Sequence, residues 1–240
     1  MHSVTSLLDN KHYQLVEDLW AELARKFAIS EFNSASYPHI TYQVAGRYNV
    51  KSIETVLRRF AASNASFKVR TGGLGIFTGP QPVLYLRVVR SPELTQFHEA
   101  LWQEISRTGS DFWDYYHPAN WVPHITIGMH DMNKDNLSQI VRFLAERDFN
   151  WEITVDNIML GYNRIVSLFG KKIFFGTRMS IYSLQEGDAR IMIDKQATAH
   201  TAQFMPVTQF ATDLAKTGIR TSTLGDTHML EVAPISANDK

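Results

Sequence analysis

A tetrapeptide that occurs twice constrains this chain more than any other feature of its 240 residues. Pro-His-Ile-Thr stands at 38–41 and again at 123–126. Side chains alternate between the two faces of a strand, so the histidine and threonine of each copy share one face. An imidazole beside a hydroxyl suits an anionic group such as phosphate. None of the other seven histidines has Ser or Thr two residues later. We therefore predict one site from His39, Thr41, His124 and Thr126, against the alternative of two unrelated strand ends.

The segments that follow the two copies share an order of elements. His39 and Phe67 are 28 positions apart, and His124 and Trp151 are 27 apart. Between them, apolar residues at helical spacing predict helices over Lys51–Ala62 and Lys134–Glu146. A strand then starts at each aromatic residue, the second running toward Tyr162. This order indicates an internal duplication, with two similar lobes whose His-x-Thr strands face one cleft.

Further patterns predict an α+β fold in which each lobe has an antiparallel sheet and outer helices. Strands are predicted at Ser3–Leu8, Pro38–Ala45, Phe67–Arg70 and Pro82–Val89, and helices after Asp9 and over Pro92–Arg107. The glycine run 72–75 is expected to end its strand. It is not a phosphate-binding P-loop, because the Lys-Ser/Thr pair of that motif is missing.

Composition excludes several classes of function. With 24 basic and 24 acidic residues, overall charge gives no reason to expect long nucleic acid or an anionic membrane as partner. Cysteine is absent, which excludes disulfides, thiol catalysis and cysteine-bound metals. No signal peptide and no apolar run of about 18 residues is present. We expect a cytoplasmic monomer with no membrane association and no stable protein partner.

Two histidines in opposite protonation states can cleave a phosphodiester without a cofactor. One ring accepts a proton from the attacking group, and the other delivers a proton to the leaving oxygen. Thr41 and Thr126 can donate to the non-bridging oxygens. Catalytic zinc, the rival interpretation, needs about three protein ligands, and neither motif has a carboxylate at ligand spacing. We predict no metal and no cofactor. The sequence leaves open which histidine is the acid.

At these residues the chain resembles the two-histidine (2H) phosphoesterases, and within them the 2′-5′ RNA ligase-like branch. The paired motifs carry the resemblance, together with the segment Gly73–Phe77, the strand Pro82–Val89 and the Trp121-Val-Pro-His approach. It covers roughly residues 3–184. It implies a two-lobed α+β fold with the active site between the lobes. It also implies metal-independent action on 2′,3′-cyclic phosphates, 2′-5′ linkages or related nucleotide phosphodiesters.

The resemblance assigns roles to the paired motifs. The two catalytic histidines of the family fall on His39 and His124, and its phosphate-binding hydroxyls on Thr41 and Thr126. The function predicted is thus a phosphodiesterase for RNA ends or small nucleotides, with 2′-5′ RNA ligase activity as a further capacity. Two alternatives stay open: a nucleotide-binding module with little activity, and an enzyme that degrades cyclic oligonucleotide signals.

Other residues are candidates for contacts with a base or phosphate. Phe77 and Tyr162 occupy similar places in the two halves, and we predict that they stack a nucleotide base. The weaker candidates are Trp113 and Trp121 for stacking and Arg87 and Arg164 for phosphate, with core or solvated positions as their alternatives. His117 and His130 are interpreted as bystanders.

The chain is predicted to divide near residue 185. Residues 1–185 should form the two-lobed domain, and 186–240 an extension or a small appended subdomain. Within that tail, Arg190–Ile193 and Met229–Val232 are predicted as short strands. Val207, Phe210, Ala211 and Leu214 fit one face of a helix.

Overall fold

The computed structural model of the chain describes residues 2–29, 37–169, 172–185, 189–193, 222–224 and 227–229. The helices in these ranges are α1 (Asn10–Phe27), α2 (Val50–Ala62), α3 (Pro92–Ile105) and α4 (Lys134–Leu144). The strands are β1 (His2–Leu7), β2 (His39–Tyr48), β3 (Phe67–Phe77), β4 (Val83–Val88), β5 (Gly109–Phe112), β6 (His124–Gly128), β7 (Glu152–Val155), β8 (Asn157–Phe169), β9 (Lys172–Ser183), β10 (Ala189–Ile193), β11 (Ser222–Leu224) and β12 (Thr227–Met229).

Two antiparallel sheets form the framework. The larger sheet has the order β10-β9-β8-β1-β2-β5, and the smaller has the order β6-β4-β3-β7. The first His-x-Thr motif opens β2 in the larger sheet, and the second opens β6 in the smaller. The predicted α+β fold with two antiparallel sheets is confirmed.

The two halves of the sequence do not form one sheet each. The first half sends β3 and β4 into the smaller sheet, where they pair with β7 and β6 of the second half. The prediction of one strand from Trp151 toward Tyr162 is wrong, because the chain forms β7 and β8 there, in different sheets. The break falls at Asp156. The next residue is fixed to β1, since the Asn157 side chain bonds both the N–H (2.9 Å) and the carbonyl (3.0 Å) of Leu7.

The glycine run does not end its strand, which corrects another prediction. Strand β3 continues through the run to Phe77, and its register against β4 shifts between Thr71 and Leu74. Gly73 lies in this shift with a φ of 77°, a conformation that glycine adopts without steric cost. The run is therefore a β-bulge inside a strand, which bends the strand without breaking it.

Local signals set where the helices begin. Asp9 caps α1 by accepting a hydrogen bond from the N–H of His12 (3.0 Å), and Asn49 caps α2 in the same way from Ser52 (3.1 Å). The apolar faces of the helices then join both sheets in one core. Fully buried members of this core include Leu23, Ile53, Leu57, Leu101, Ile125 and Ile140.

Beyond residue 185 the structure describes three short strands. β10 pairs with β9 at the edge of the larger sheet, in agreement with the predicted strand Arg190–Ile193. β12 pairs with β11, ends at Met229 and meets the predicted strand Met229–Val232 only at that residue. The predicted helix over Val207–Leu214 lies outside the described residues. The division of the chain near residue 185 stays a prediction.

Candidate active site

Each histidine of the repeated motif stands at the first residue of its strand, His39 in β2 and His124 in β6. In both, Nδ1 contacts the backbone carbonyl two residues earlier: that of Tyr37 for His39, and that of Val122 for His124 at 2.7 Å. A carbonyl oxygen only accepts hydrogen bonds, so Nδ1 of each ring carries the proton. In the neutral ring, Nε2 is then a proton acceptor.

The proline before each histidine explains this geometry. Proline restricts the residue before it to extended conformations. Its own carbonyl enters the sheet, because Pro38 accepts from the N–H of Leu8 (3.2 Å) and Pro123 from that of Val88 (3.0 Å). The proline carbonyl is therefore used in hydrogen bonds between strands. The carbonyl of the residue before the proline accepts the hydrogen bond from the imidazole. This is a structural reason for the two motifs to share proline as well as histidine and threonine.

The two imidazoles lie close enough to affect each other. Burial lowers the pKa of His39 below the usual 6.5, the Tyr37 carbonyl opposes this in part, and His124 lowers it further. Burial also lowers the pKa of His124, against the opposing effect of the Val122 carbonyl. Both rings are therefore neutral at pH 7 in the free protein. The structure brings together the two histidines that the sequence predicted as a pair.

Each threonine follows its histidine on the same face of the strand, and both are partly exposed. Thr41 shares a hydrogen bond with the hydroxyl of Tyr116. Burial raises the pKa of Tyr116, and this contact opposes the rise only in part, so the phenol stays protonated. Sequence reasoning missed Tyr116, because it lies in a short 3-10 turn, Asp114–Tyr116, that has no periodic signal.

Two aromatic rings pack beside His124. Phe77 stacks on Tyr85 with ring centroids 4.2 Å apart, and it meets His124 edge-on at 5.0 Å. The Tyr85 ring lies 5.2 Å from that of His124. Gly75 makes room for it, since a Cβ there would lie 2.3 Å from Cε2 of Tyr85. The structure thus places Phe77 at the predicted site, together with Tyr85, which sequence reasoning missed.

Arg87 lies next to His124. The two residues pair across β4 and β6, so their side chains are on the same face of the smaller sheet. Arg87 is exposed, and it makes no ion pair or hydrogen bond with any residue that the structure describes. Gly72 lies under it, since a Cβ at that glycine would be 3.6 Å from the Arg87 Nη1. The guanidinium therefore extends from β4 over β3, on the same face of the smaller sheet as the imidazole.

Trp121 connects the two motifs instead of offering a stacking surface. It is only 2% exposed, and its Nε1 donates to the carbonyl of Thr41 at 2.8 Å. Its ring also lies 3.8 Å from the ring of His98 in the core. The tryptophan before the second motif thus ties that segment to the backbone of the first motif.

Comparison with known proteins identifies the family of this chain. The family model of the 2′-5′ RNA ligase superfamily matches residues 12–164, a span that holds both motifs and more than half of the chain. The chain belongs to this superfamily.

Several bacterial relatives of this chain carry the name "Putative phosphoesterase". One from Bacillus mycoides (strain KBAB4) is 27% identical over 128 residues, which are 52% of this chain and 70% of that protein. One from Bacillus cereus is 28% identical over the same shares. Among solved structures, the crystal structure of TT0787 from Thermus thermophilus matches with 17% identity and a TM-score of 0.48. That match covers 77% of this chain and 97% of the other.

One predicted site residue of this superfamily member is not placed with the histidines. The backbone of Tyr162, in β8, pairs with His2, which pairs in turn with Ala45 of β2. Ala45 is six residues after His39, about 20 Å along an extended strand. For Tyr162 and Arg164 the structure describes the backbone alone.

The remaining candidates have other surroundings. Trp113 is 46% exposed, and His117 packs edge-on against Trp102 at 5.5 Å. His130 is exposed. Among the described side chains, no three His, Asp or Glu residues are grouped in a way that could hold a metal ion. In the same part of the chain, no helix combines the length and the apolar character needed to cross a membrane.

Proposed function

We propose that this chain is a metal-independent phosphodiesterase that cleaves 2′,3′-cyclic phosphates or 2′-5′ linkages at RNA ends or in small nucleotides. Membership of the 2′-5′ RNA ligase superfamily and the names of its relatives support a phosphoesterase function. One observation carries the mechanism: His39 and His124 each donate a hydrogen bond from Nδ1 to a backbone carbonyl. Nε2 of each ring is therefore the nitrogen that is left for proton transfer.

The reaction on a 2′,3′-cyclic phosphate needs two proton transfers. Nε2 of one neutral histidine takes a proton from water, and the water oxygen forms a bond to phosphorus. The bond from phosphorus to one ribose oxygen breaks, and that oxygen takes a proton from Nε2–H of the other histidine. The reverse direction, in which a ribose hydroxyl attacks, uses the same transfers with the roles exchanged. The product of hydrolysis is a phosphate monoester.

The substrate itself supplies a reason for one ring to be protonated. Burial keeps both histidines neutral at pH 7 in the free protein. A phosphodiester carries one negative charge, and an opposite charge within about 4–6 Å favours the protonated form of an imidazole. Binding of the anion therefore raises the pKa of the nearer ring and prepares it as the acid.

Neighbouring groups stabilise the negative charge on the phosphoryl oxygens. The hydroxyls of Thr41 and Thr126 can donate to the non-bridging oxygens, whose charge grows in the transition state. Arg87, which pairs across the strands with His124 and has no ion pair among the described residues, adds a permanent positive charge to the same face of the sheet. Phe77, edge-on to His124, offers an aromatic ring for the base or ribose.

A substrate panel tests this proposal. Nucleoside 2′,3′-cyclic phosphates, 2′-5′ dinucleotides and cyclic dinucleotides are incubated with the protein, with and without EDTA, and the products are separated by chromatography. We expect turnover of a cyclic phosphate or a 2′-5′ linkage at a rate that EDTA leaves unchanged. Loss of activity in EDTA contradicts a metal-independent mechanism. Tight binding without turnover makes the chain a nucleotide-binding module, and turnover of cyclic dinucleotides alone makes it a signal-degrading enzyme.

A further inference from the structure

A row of cations continues from His124 across the smaller sheet. Arg87 pairs with His124 and shares its face. Val89, on the same face as Arg87, lies beside Arg70 of β3, since its N–H donates to the Arg70 carbonyl at 2.7 Å. Lys68 lies two residues before Arg70 and therefore points to the same side. We call Arg87, Arg70 and Lys68 the cationic row.

The face that carries the cationic row is turned to solvent. The side chains of Lys68 and Arg70 are 66% and 77% exposed. Phe67 and Val69, which alternate with them along β3, are buried in the core. This alternation assigns one face of the sheet to the core and leaves the other for a ligand.

The charges along the row are not balanced. Glu152 of β7 forms ion pairs with both Lys68 (2.5 Å) and Arg70 (3.5 Å). The hydrogen bond with Lys68 lowers the pKa of the Glu152 carboxyl, so this carboxyl is ionised at neutral pH. Arg87 has no anionic partner in the described part of the chain. The three cations and Glu152 together thus carry a net charge of +2 on the face that also holds His124, in a chain whose formal charge is zero.

The row is longer than one phosphate group. Two residues along a strand span about 7 Å, and adjacent strands are about 5 Å apart. From Arg87 the row passes Val89 to Arg70 on the next strand and then two residues further to Lys68. Its cations therefore succeed one another at intervals of roughly 7–8 Å. A row of positive charges on an exposed face of a sheet is complementary to a chain of phosphates.

We propose that the cationic row binds the phosphate backbone of a single-stranded oligoribonucleotide whose reacting end lies between His39 and His124. This inference rests on the proposed phosphodiesterase function and narrows it: the substrate is the end of an RNA chain instead of a free mononucleotide. Binding of this kind releases counterions, so the affinity falls as the salt concentration rises. The slope of this dependence is proportional to the number of phosphate contacts.

The test measures binding in a form that needs no catalysis. The probe is a fluorescein-labelled ten-nucleotide oligouridylate with a 3′-phosphate, titrated by anisotropy between about 50 and 200 mM salt. For single strands, each phosphate contact contributes about −0.7 to the slope of log K against log salt. The Lys68→Ala/Arg70→Ala variant should therefore flatten the slope by about 1.4 and weaken binding about 25-fold at roughly 0.1 M salt.

Substitution of Glu152, the carboxylate beside the cationic row, should change the affinity in the opposite direction. Glu152→Gln removes the negative charge that Lys68 and Arg70 share. This variant should bind the same oligouridylate more tightly. If the removed charge has the effect of one added phosphate contact, the affinity rises about fivefold at roughly 0.1 M salt. Weaker binding by this variant would contradict the proposal, because it would show that the pairs with Glu152 hold the cations in place for another purpose.

The matched control removes two cations elsewhere. Arg25→Ala/Arg142→Ala changes the net charge equally, on exposed positions of α1 and α4. We expect less than a twofold change in affinity, and thermal melting confirms that all variants are folded. Equal losses in both double variants, or no loss in either, overturn the cationic row as a binding site. Failure of the proposed function appears separately, as absence of turnover in the substrate panel.

Discussion

The proton on Nδ1 decides what each histidine of the repeated motif can do. A backbone carbonyl accepts the hydrogen bond from Nδ1 in both rings, so Nε2 is the nitrogen that remains to accept a proton in both. Burial and mutual proximity then lower the pKa of His39, and burial lowers that of His124. Once an anion binds, such a pair can have one protonated and one neutral imidazole. Acid–base cleavage of a phosphodiester requires this combination.

The lowered pKa values predict an acidic optimum. A ring with a lowered pKa releases its proton at a lower pH, so the free enzyme carries a single proton on the pair only below the ordinary pKa of 6.5. The dependence of kcat/KM on pH reports the free enzyme. We expect a bell-shaped profile with its maximum below about pH 6.5, and a kcat profile displaced to higher pH by the bound anion. Rates measured on a cyclic phosphate from about pH 4.5 to 8.5 check this, and a kcat/KM maximum above about pH 7 contradicts it.

Sequence alone could predict the residues that repeat and not those that arrive from other elements. His39 and His124 share an identical neighbourhood, and alternation along a strand places each threonine beside its histidine. Tyr116 and Tyr85 have no such signature. They reach the site because a turn crosses β2 and because β4 pairs with β6, and pairings between distant segments are not encoded in local periodicity.

At the scale of elements, strand β3 shows how backbone geometry serves the site. Gly73 forms the bulge, Gly72 lies beneath the guanidinium of Arg87, and Gly75 lies beneath the ring of Tyr85. A sequence can show that glycines interrupt a pattern. It cannot show whether they end the strand or clear its surface, because that depends on the side chains of the partner strand.

Gly75→Ala should damage the site through Tyr85. The new Cβ would lie 2.3 Å from Cε2 of a ring that is stacked on Phe77 and packed near His124, so the ring has to move. We expect a fall in kcat of about tenfold or more, consistent with a displacement near 1 Å. Gly79→Ala is the control, since nothing lies within 4 Å of its Cβ position. Equal kinetics for the two variants on a cyclic phosphate would show that Tyr85 does not position the histidine.

The order of elements was predictable from sequence, and their assignment to sheets was not. Apolar spacing and capping residues give the helices to within a few residues. The chain, however, passes from the smaller to the larger sheet between β7 and β8, at Asp156. The anchor for that passage is the contact of Asn157 with Leu7, 150 residues away along the chain, and local patterns carry no trace of it.

At the scale of the whole molecule, a buried histidine links the larger sheet to the segment before β6. His98 of α3 is fully buried, donates from Nε2 to the Tyr42 carbonyl (2.9 Å), and packs against Trp121, which bonds Thr41. Burial lowers its pKa to about 4, against the opposing effect of the Tyr42 carbonyl. A neutral His98 is therefore part of the core that connects the two motifs.

The pKa of His98 predicts loss of stability in acid. Between its folded pKa of about 4 and the ordinary 6.5, the unfolded chain binds more protons, so stability falls as pH drops below 6.5. The expected contribution is about 2 kcal/mol between roughly pH 8 and pH 5. His98→Gln keeps an amide near the Tyr42 carbonyl and does not titrate. Urea unfolding at both pH values should show a smaller acid loss in this variant, and an unchanged loss would contradict the assignment.

The central claim is that His39 and His124 act as one acid–base pair, and kinetics of their variants test it most directly. The substrate is whichever member of the panel the wild-type protein turns over, assayed with EDTA present. His39→Ala and His124→Ala should each lower kcat/KM by ~10²–10⁴-fold, the range for loss of general acid–base catalysis. The double variant should be little worse than either single variant, because the pair works as a unit. Full activity in either single variant, or losses that multiply in the double variant, would contradict the two-histidine mechanism.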